Sequence, residues 1–225
     1  MQKNWVFPVI HEINEATSIG QADLAFEEGA DGVFLISHHG RDIPLLTSAQ
    51  IIKTRHPHKL IGVNLLNTRV DIGLQWALSA GVDMFWTDVP EVSSKGPQPM
   101  ALQLKNQLEA HPRHNLKLYA SIAFKYQAQD PFPGAAAEEV VKLGFVPTTS
   151  GSATGKAPDV SKLQGMRHAI GPQERLAIAS GMTPENVTAY TDHVTDFLVA
   201  TGVSDDAYHF NREKLASFIA KVKQP

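Results

Sequence analysis

The chain has no cysteine among its 225 residues. That excludes disulfides, thiolate metal sites and a cysteine nucleophile, and it fits a cytoplasmic location. It has no excess of one charge either: 20 Lys and Arg stand against 23 Asp and Glu, a formal net charge of −3. Nothing electrostatic points to a nucleic-acid partner. No apolar run approaches the ~20 residues that a membrane helix needs, so no membrane insertion is expected. The opening stretch MQKNWVFPVIHEINEA has too short an apolar run, ending in His11 and Glu12, to read as a signal peptide. A G-x-G-x-x-G turn after the first apolar run is also missing, which counts against an open dinucleotide-binding sheet. No low-complexity tract or linker divides the chain.

What is present is a repeat of short apolar runs. They are WVFPVI (5–10), GVFLIS (32–37), LIGVNLL (60–66), MFWTDV (84–89), LKLYASIAF (116–124), FVPTTS (145–150), RLAIAS (175–180) and DFLVAT (196–201). Their length and their Val, Ile, Phe, Trp and Thr content read as strands. Between them lie segments of helical periodicity. One opens at Thr47 or Ser48 and stops before Pro57; others end at Gly81, Gly144 and Gly171, where glycine suits a helix C-terminus. TPENVTAYTDH (183–193) is read as a helix too. Runs that are apolar almost throughout are what a parallel sheet covered on both faces requires. Eight strand–helix units in 225 residues predict an α/β fold, a single (β/α)8 TIM barrel over residues 1–225.

In such a barrel the ligand site lies at the C-terminal ends of the strands. Residues just before a strand are thereby set aside: His56, His58, His111, His114 and His168. Just after the strands come His11, Glu12 and Asn14; Ser37, His38 and His39; Asn64 and Asn67; Thr87, Asp88 and Glu91; Ser121 and Lys125. The last three runs are followed by Thr148 to Gly151, by Ser180 and Gly181, and by Thr201 and Gly202. Polar groups are costly to bury unpaired, so their gathering at one end of apolar strands marks a binding mouth. TTSGSATGKAPD, ASGMTPENV and VATGVSDD leave adjacent strands, and loops of this kind hold phosphate in this fold. Thr149, Gly151, Ser180, Gly181, Thr201 and Gly202 are the anion-binding candidates, with glycine permitting close backbone approach. Lys125, Asp88 and Glu12 are the catalytic candidates, as groups able to move or stabilise a proton. His11, His38 and Asn64 are candidates for binding the rest of a substrate. A metal set of His11, His38 and Asp88 lacks a tight ligand spacing, so no metal and no cofactor is assigned.

The second half resembles the BtpA-like TIM-barrel proteins, through AFKYQ (123–127), SGSATGKAPD (150–159), ASGMTPENV (179–187), FLVATGVSDD (197–206) and HFNREKLASFI (209–219). The first half matches more loosely through VIHEIN, GADGVFLIS and GVNLL. The resemblance implies a ribulose-phosphate-binding-like barrel with a lysine after the fifth strand, here Lys125, and a phosphate site. It departs from the family in ATGVSDD, which lacks a lysine, and in Lys125-Tyr126, where the family has Lys-His. Family members are described as phosphoribosyltransferase-like or as photosystem I assembly factors. The expected function is therefore binding of a phosphorylated small metabolite, phosphoribosyl or nucleotide-like, with transfer, isomerisation or lyase chemistry. The alternative is a non-catalytic assembly factor or ligand sensor. A homo-oligomer is a possible assembly.

Overall fold

The computed structural model describes residues 3–128 and 130–224. Eight parallel strands close a barrel: β1 (Trp5–His11), β2 (Gly32–Ile36), β3 (Leu60–Asn64), β4 (Met84–Thr87), β7 (Lys117–Ser121), β8 (Val146–Thr149), β9 (Ala177–Ala179) and β10 (Asp196–Val199). Closure comes from β1, which pairs with β2 on one side and β10 on the other. Two further short strands, β5 (Val92–Ser93) and β6 (Gly96–Pro97), form a small hairpin in the loop after β4. The sequence reading has only a loop there, because two-residue strands carry no periodic signal.

The helices are α1 (Glu15–Glu27), α2 (Asp42–Arg55), α3 (Val70–Ala80), α4 (Pro99–Ala110), α5 (Pro133–Lys142), α6 (Val160–Ile170) and α7 (Arg212–Lys223). Two expectations need correction. Helix α2 starts at Asp42, not at Thr47 or Ser48. Pro44 sits in its first turn, where no intrahelical amide bond is lost, and the Thr47 hydroxyl donates back to the Ile43 carbonyl within the helix. The segment 183–193 is not an α-helix but holds one 3-10 turn, Val187–Ala189. Its side chains offer the backbone other partners: Asn186 Oδ1 accepts from the Thr183 amide, Asn186 Nδ2 donates to the Gly181 carbonyl, and Thr183 Oγ1 accepts from the Glu185 amide. Such local bonds compete with helix.

Alternation along the strands builds two apolar layers. Phe7, Val9, Phe34, Ile36, Met84, Trp86, Tyr119, Val146, Ala177, Ala179 and Leu198 pack inside the barrel. Val6, Ile10, Val33, Leu35, Ile61, Val63, Phe85, Leu118, Ile178 and Phe197 pack between sheet and helices. Gly62 is required by this packing, since a Cβ there would collide with the Phe34 ring. The N-terminal end of the interior is plugged by ions. Asp196 is fully buried and accepts from Arg175 Nε, Thr195 Oγ1 and the Tyr119 hydroxyl at 2.7, 2.6 and 3.0 Å. The Arg175 guanidinium lies 3.5 Å from the centre of the Trp5 ring. The C-terminal end is open.

Candidate active site

The same alternation that places Phe7 and Val9 inside the barrel continues to His11; that of Phe34 and Ile36 continues to His38; that of Met84 and Trp86 continues to Asp88. These three side chains, with Lys125, line a cavity of about 590 Å3 at the C-terminal mouth. Its floor is apolar: Val9, Ile36, Trp86, Phe124 and Leu198. On the far side lie the turns after β9 and β10, with Ser180, Gly181, Met182 and Thr183 in one and Ala200, Thr201 and Gly202 in the other.

Asp88 sits over a buried polar pair. Its Oδ1 accepts from Ser121 Oγ at 3.3 Å and from Asn64 Nδ2 at 3.5 Å, while Trp86 Nε1 donates to the same serine oxygen at 2.8 Å. Burial pushes the Asp88 carboxyl above its ordinary range, against the opposing pull of Ser121 and Lys125. Burial, the neighbouring His38 and Lys125 hold His11 down at about 4, with the Ala207 carbonyl acting in the opposite sense. His38 is lowered too, by burial first and then by His39 and Lys125. The His11 and His38 rings meet edge to face at 5.2 Å. At neutral pH the mouth therefore offers a neutral imidazole at His11. Among the described residues no carboxylate lies within salt-bridge distance of the Lys125 ammonium, which stands 5.6 Å from the centre of the Phe124 ring.

The two far turns are shaped for close approach. Ser180 takes φ of +90° and Gly181 +77°. A Cβ on Gly181 would collide with the Ala157 amide, and one on Gly202 with the Met182 carbonyl. The turns are thus interlocked with each other and with the loop after β8. Thr201–Val203 forms a 3-10 turn. Among the described residues the amides of Gly181, Thr201 and Gly202 have no protein hydrogen-bond partner. Backbone N–H groups gathered without partners at the start of a helical turn are suited to an anion.

Eight of the residues singled out in the sequence line this cavity: His11, His38, Asp88, Lys125, Ser180, Gly181, Thr201 and Gly202. Four lie elsewhere. Glu12 follows the phase of Val6 and Ile10, not that of His11, so it points away from the barrel axis; its Oε2 accepts from Arg41 Nε at 3.2 Å. Its expected catalytic place is corrected accordingly. Thr149 is likewise out of phase with the interior: it is completely buried and donates to the Ala123 carbonyl. Gly151 lines a neighbouring cavity, and a Cβ there would collide with the Lys156 carbonyl. Asn64 lies beneath Asp88 and is buried. Asn14, another strand-end residue, caps α1 by accepting from the Thr17 amide.

Tyr126, and Thr154 and Gly155 of the TTSGSATGKAPD loop, line the same cavity although none was among the individually named candidates. The Tyr126 hydroxyl and Thr154 Oγ1 are 3.4 Å apart, which brings the loops after β7 and β8 together over the mouth. No signal in either segment announces that pairing. The loop after β10 reaches the opposite rim, where Tyr208 meets His39 Nε2 at 3.2 Å. Among the described residues no group of three or more His, Asp or Glu side chains could hold a metal ion, and no helix is long and apolar enough to cross a membrane.

No protein-family model matches the chain. No curated protein is significantly similar to it in sequence. Solved structures are similar along its whole length. Phosphoribosyl anthranilate isomerase from Thermus thermophilus superposes with a TM-score of 0.68 at 15% identity, over 97% of this chain and 98% of the other. The 3-keto-L-gulonate-6-phosphate decarboxylase of Vibrio cholerae O1 biovar El Tor gives 0.70 at 14%, over 100% of both. A phosphoribosyl anthranilate isomerase in complex with a reduced carboxyphenylamino-deoxyribulose 5-phosphate gives 0.67 at 14%, over 98% of both. These likenesses do not extend to the BtpA-like family; what they establish is the fold, a (β/α)8 barrel.

Proposed function

We propose that the chain is an enzyme acting on a phosphorylated small metabolite, phosphoribosyl or nucleotide-like, at the C-terminal mouth of its barrel. The observation that carries this reading is a division of one cavity: unpartnered backbone amides at Gly181, Thr201 and Gly202 on one side, and Lys125, Asp88, His11 and His38 on the other. Phosphate on the amides would hold the substrate so that its reacting carbons lie over the opposite group, and fixed orientation of this kind lowers a barrier through entropy given up on binding. The chemistry these groups support best is isomerisation or transfer by way of proton movement. The Asp88 carboxylate takes a proton from a carbon beside a carbonyl; the electron pair moves onto the carbonyl oxygen, where the Lys125 ammonium stabilises the charge. Neutral His11 and His38 hold substrate hydroxyls. The solved structures lend support, since two are named for phosphorylated compounds and a third is in complex with a deoxyribulose 5-phosphate derivative.

The BtpA-like alternative, a non-catalytic assembly factor or sensor, calls for an apolar surface separate from the mouth. The most exposed large hydrophobics, Ile43, Val89, Tyr126 and Phe132, lie instead after strand ends or at the start of helices, on the face that carries the mouth. Calorimetry with ribose 5-phosphate and with ribose tests the enzyme reading. The phosphorylated sugar is expected to bind and ribose to bind far more weakly, with Lys125→Met losing the response while melting like wild type. Equal responses to both sugars, or an intact response in Lys125→Met, would refute it.

A further inference from the structure

Lys125 is carried by an unusual piece of backbone. The residues after β7 turn through Ala123 at φ +45° and Tyr126 at +64°, both non-glycine residues in left-handed conformation. Such conformations are strained for residues other than glycine and persist where their surroundings over-determine them. Here the surroundings are specific. The Ala123 carbonyl accepts from Lys162 Nζ at 2.5 Å and from Thr149 Oγ1 at 3.1 Å. Lys162 Nζ also donates to the Ser150 carbonyl at 2.9 Å. The Lys125 amide donates to Ser150 Oγ at 2.8 Å. Lys162 lies in the first turn of α6 and lines a second cavity, of about 390 Å3, separated from the mouth by the 123–127 turn.

We infer that Lys162 is the positioning residue for Lys125, its amine clamping the strained turn after β7 to the loop after β8 so that the Lys125 side chain is held at the mouth. The inference rests on the function proposed above. In these bonds Lys162 is the side chain that comes from outside the two segments being joined; Thr149 and Ser150, which also bond across, belong to the end of β8 and the loop after it. Burial lowers the Lys162 amine to about 8, and the clamp is insensitive to its charge, because a neutral amine keeps two N–H donors for its two carbonyl acceptors. Without the amine, the Ser150 carbonyl would lose its bond to Lys162 and the Ala123 carbonyl would keep only Thr149 Oγ1, and the turn could relax out of its left-handed conformations.

The test reads the turn and the ligand separately. Amide hydrogen exchange at Lys125 is measured in wild type, Lys162→Met, Lys162→Arg and Thr149→Val. Ribose 5-phosphate affinity is measured in wild type, Lys162→Met, Lys125→Met and the double variant. Exchange at Lys125 is expected to rise at least tenfold in Lys162→Met, less in Thr149→Val, and to return toward wild type in Lys162→Arg. Affinity is expected to fall about tenfold in Lys162→Met, but not further when Lys162→Met is added to Lys125→Met. Unchanged protection at Lys125, or an equal affinity loss in both backgrounds, overturns the inference. If Lys162→Met does not fold, Thr149→Val must still raise exchange at Lys125, and a failure to do so overturns it as well. If wild type does not bind ribose 5-phosphate, the functional reading fails while the exchange data still decide the clamp.

Discussion

The two ends of the barrel interior use charge in opposite ways. At the N-terminal end, Asp196 is surrounded by donors from Arg175, Thr195 and Tyr119, and the guanidinium stacks on Trp5. At the C-terminal end, Asp88 has two long contacts at 3.3 and 3.5 Å, and Lys125 has no carboxylate partner among the described residues. Both ends are built on the same inward-facing phase of the same strands. A closed network fixes a core and leaves no donor for a ligand; a partly satisfied one keeps donors and acceptors for something that is not part of the chain. The difference explains why polar residues at the lower end read as structure and those at the upper end as a site.

The largest effect should come from breaking the closed end. Asp196→Ala leaves Arg175 with its charge in a largely buried place, and removing one partner of such a pair costs about 3–5 kcal/mol. Chemical denaturation should show that loss, and a change under about 1 kcal/mol would mean that the two ends are not different in kind. Next in size is the open end. Asp88→Asn keeps the shape and the contacts with Asn64 and Ser121, so its midpoint should stay near wild type, while turnover on a phosphorylated substrate falls about 10²–10⁴-fold if the carboxylate is the base. Equal turnover would remove Asp88 from the chemistry. Thr201→Asp sets a carboxylate beside the unpartnered amides. The fold should tolerate it, since Thr201 is exposed, but ribose 5-phosphate should bind about tenfold more weakly from like charge; unaltered affinity in calorimetry would move the phosphate elsewhere.

The smallest effect is a slope. His11 has its folded value near 4, below the ordinary 6.5. The unfolded chain therefore binds the proton more readily between those values, and stability contributed by neutral His11 is complete above about 6.5 and lost as pH falls through about 4. His11→Gln should melt with a shallower dependence on pH across that window than wild type. Identical slopes would mean that His11 is not held neutral by the mouth.

Much of the fold was legible because burial on both faces makes barrel strands apolar almost throughout, and eight such runs at regular spacing leave few alternatives. The polar residues gathered at the C-terminal ends of the strands, which form the candidate site, were legible for the same reason. Phase was not. His11 and Glu12 are neighbours in a run with no polar–apolar alternation to show which of them faces inward, and a shift of one residue exchanges the two faces. Thr149 and Ser150 present the same ambiguity at the end of β8. Nor could local pattern foresee the 3-10 turn at Val187–Ala189, where Asn186 and Thr183 side chains take the backbone bonds a helix would use.

Sequence alone determined the class of fold, the order of its strands and the residues available at their C-terminal ends, since these follow from local hydrophobicity and chain direction. Tertiary structure decided which of those residues share a cavity. Closure of β1 against β10 sets His11 and His38 in one cavity with the turns at Gly181 and Gly202, residues about 140 to 190 positions apart in the chain. It also turns Glu12 toward Arg41 and Thr149 toward Ala123. The physical reason is that a side chain's direction depends on the pleat and register of a closed sheet, which every strand helps to set and no single segment encodes.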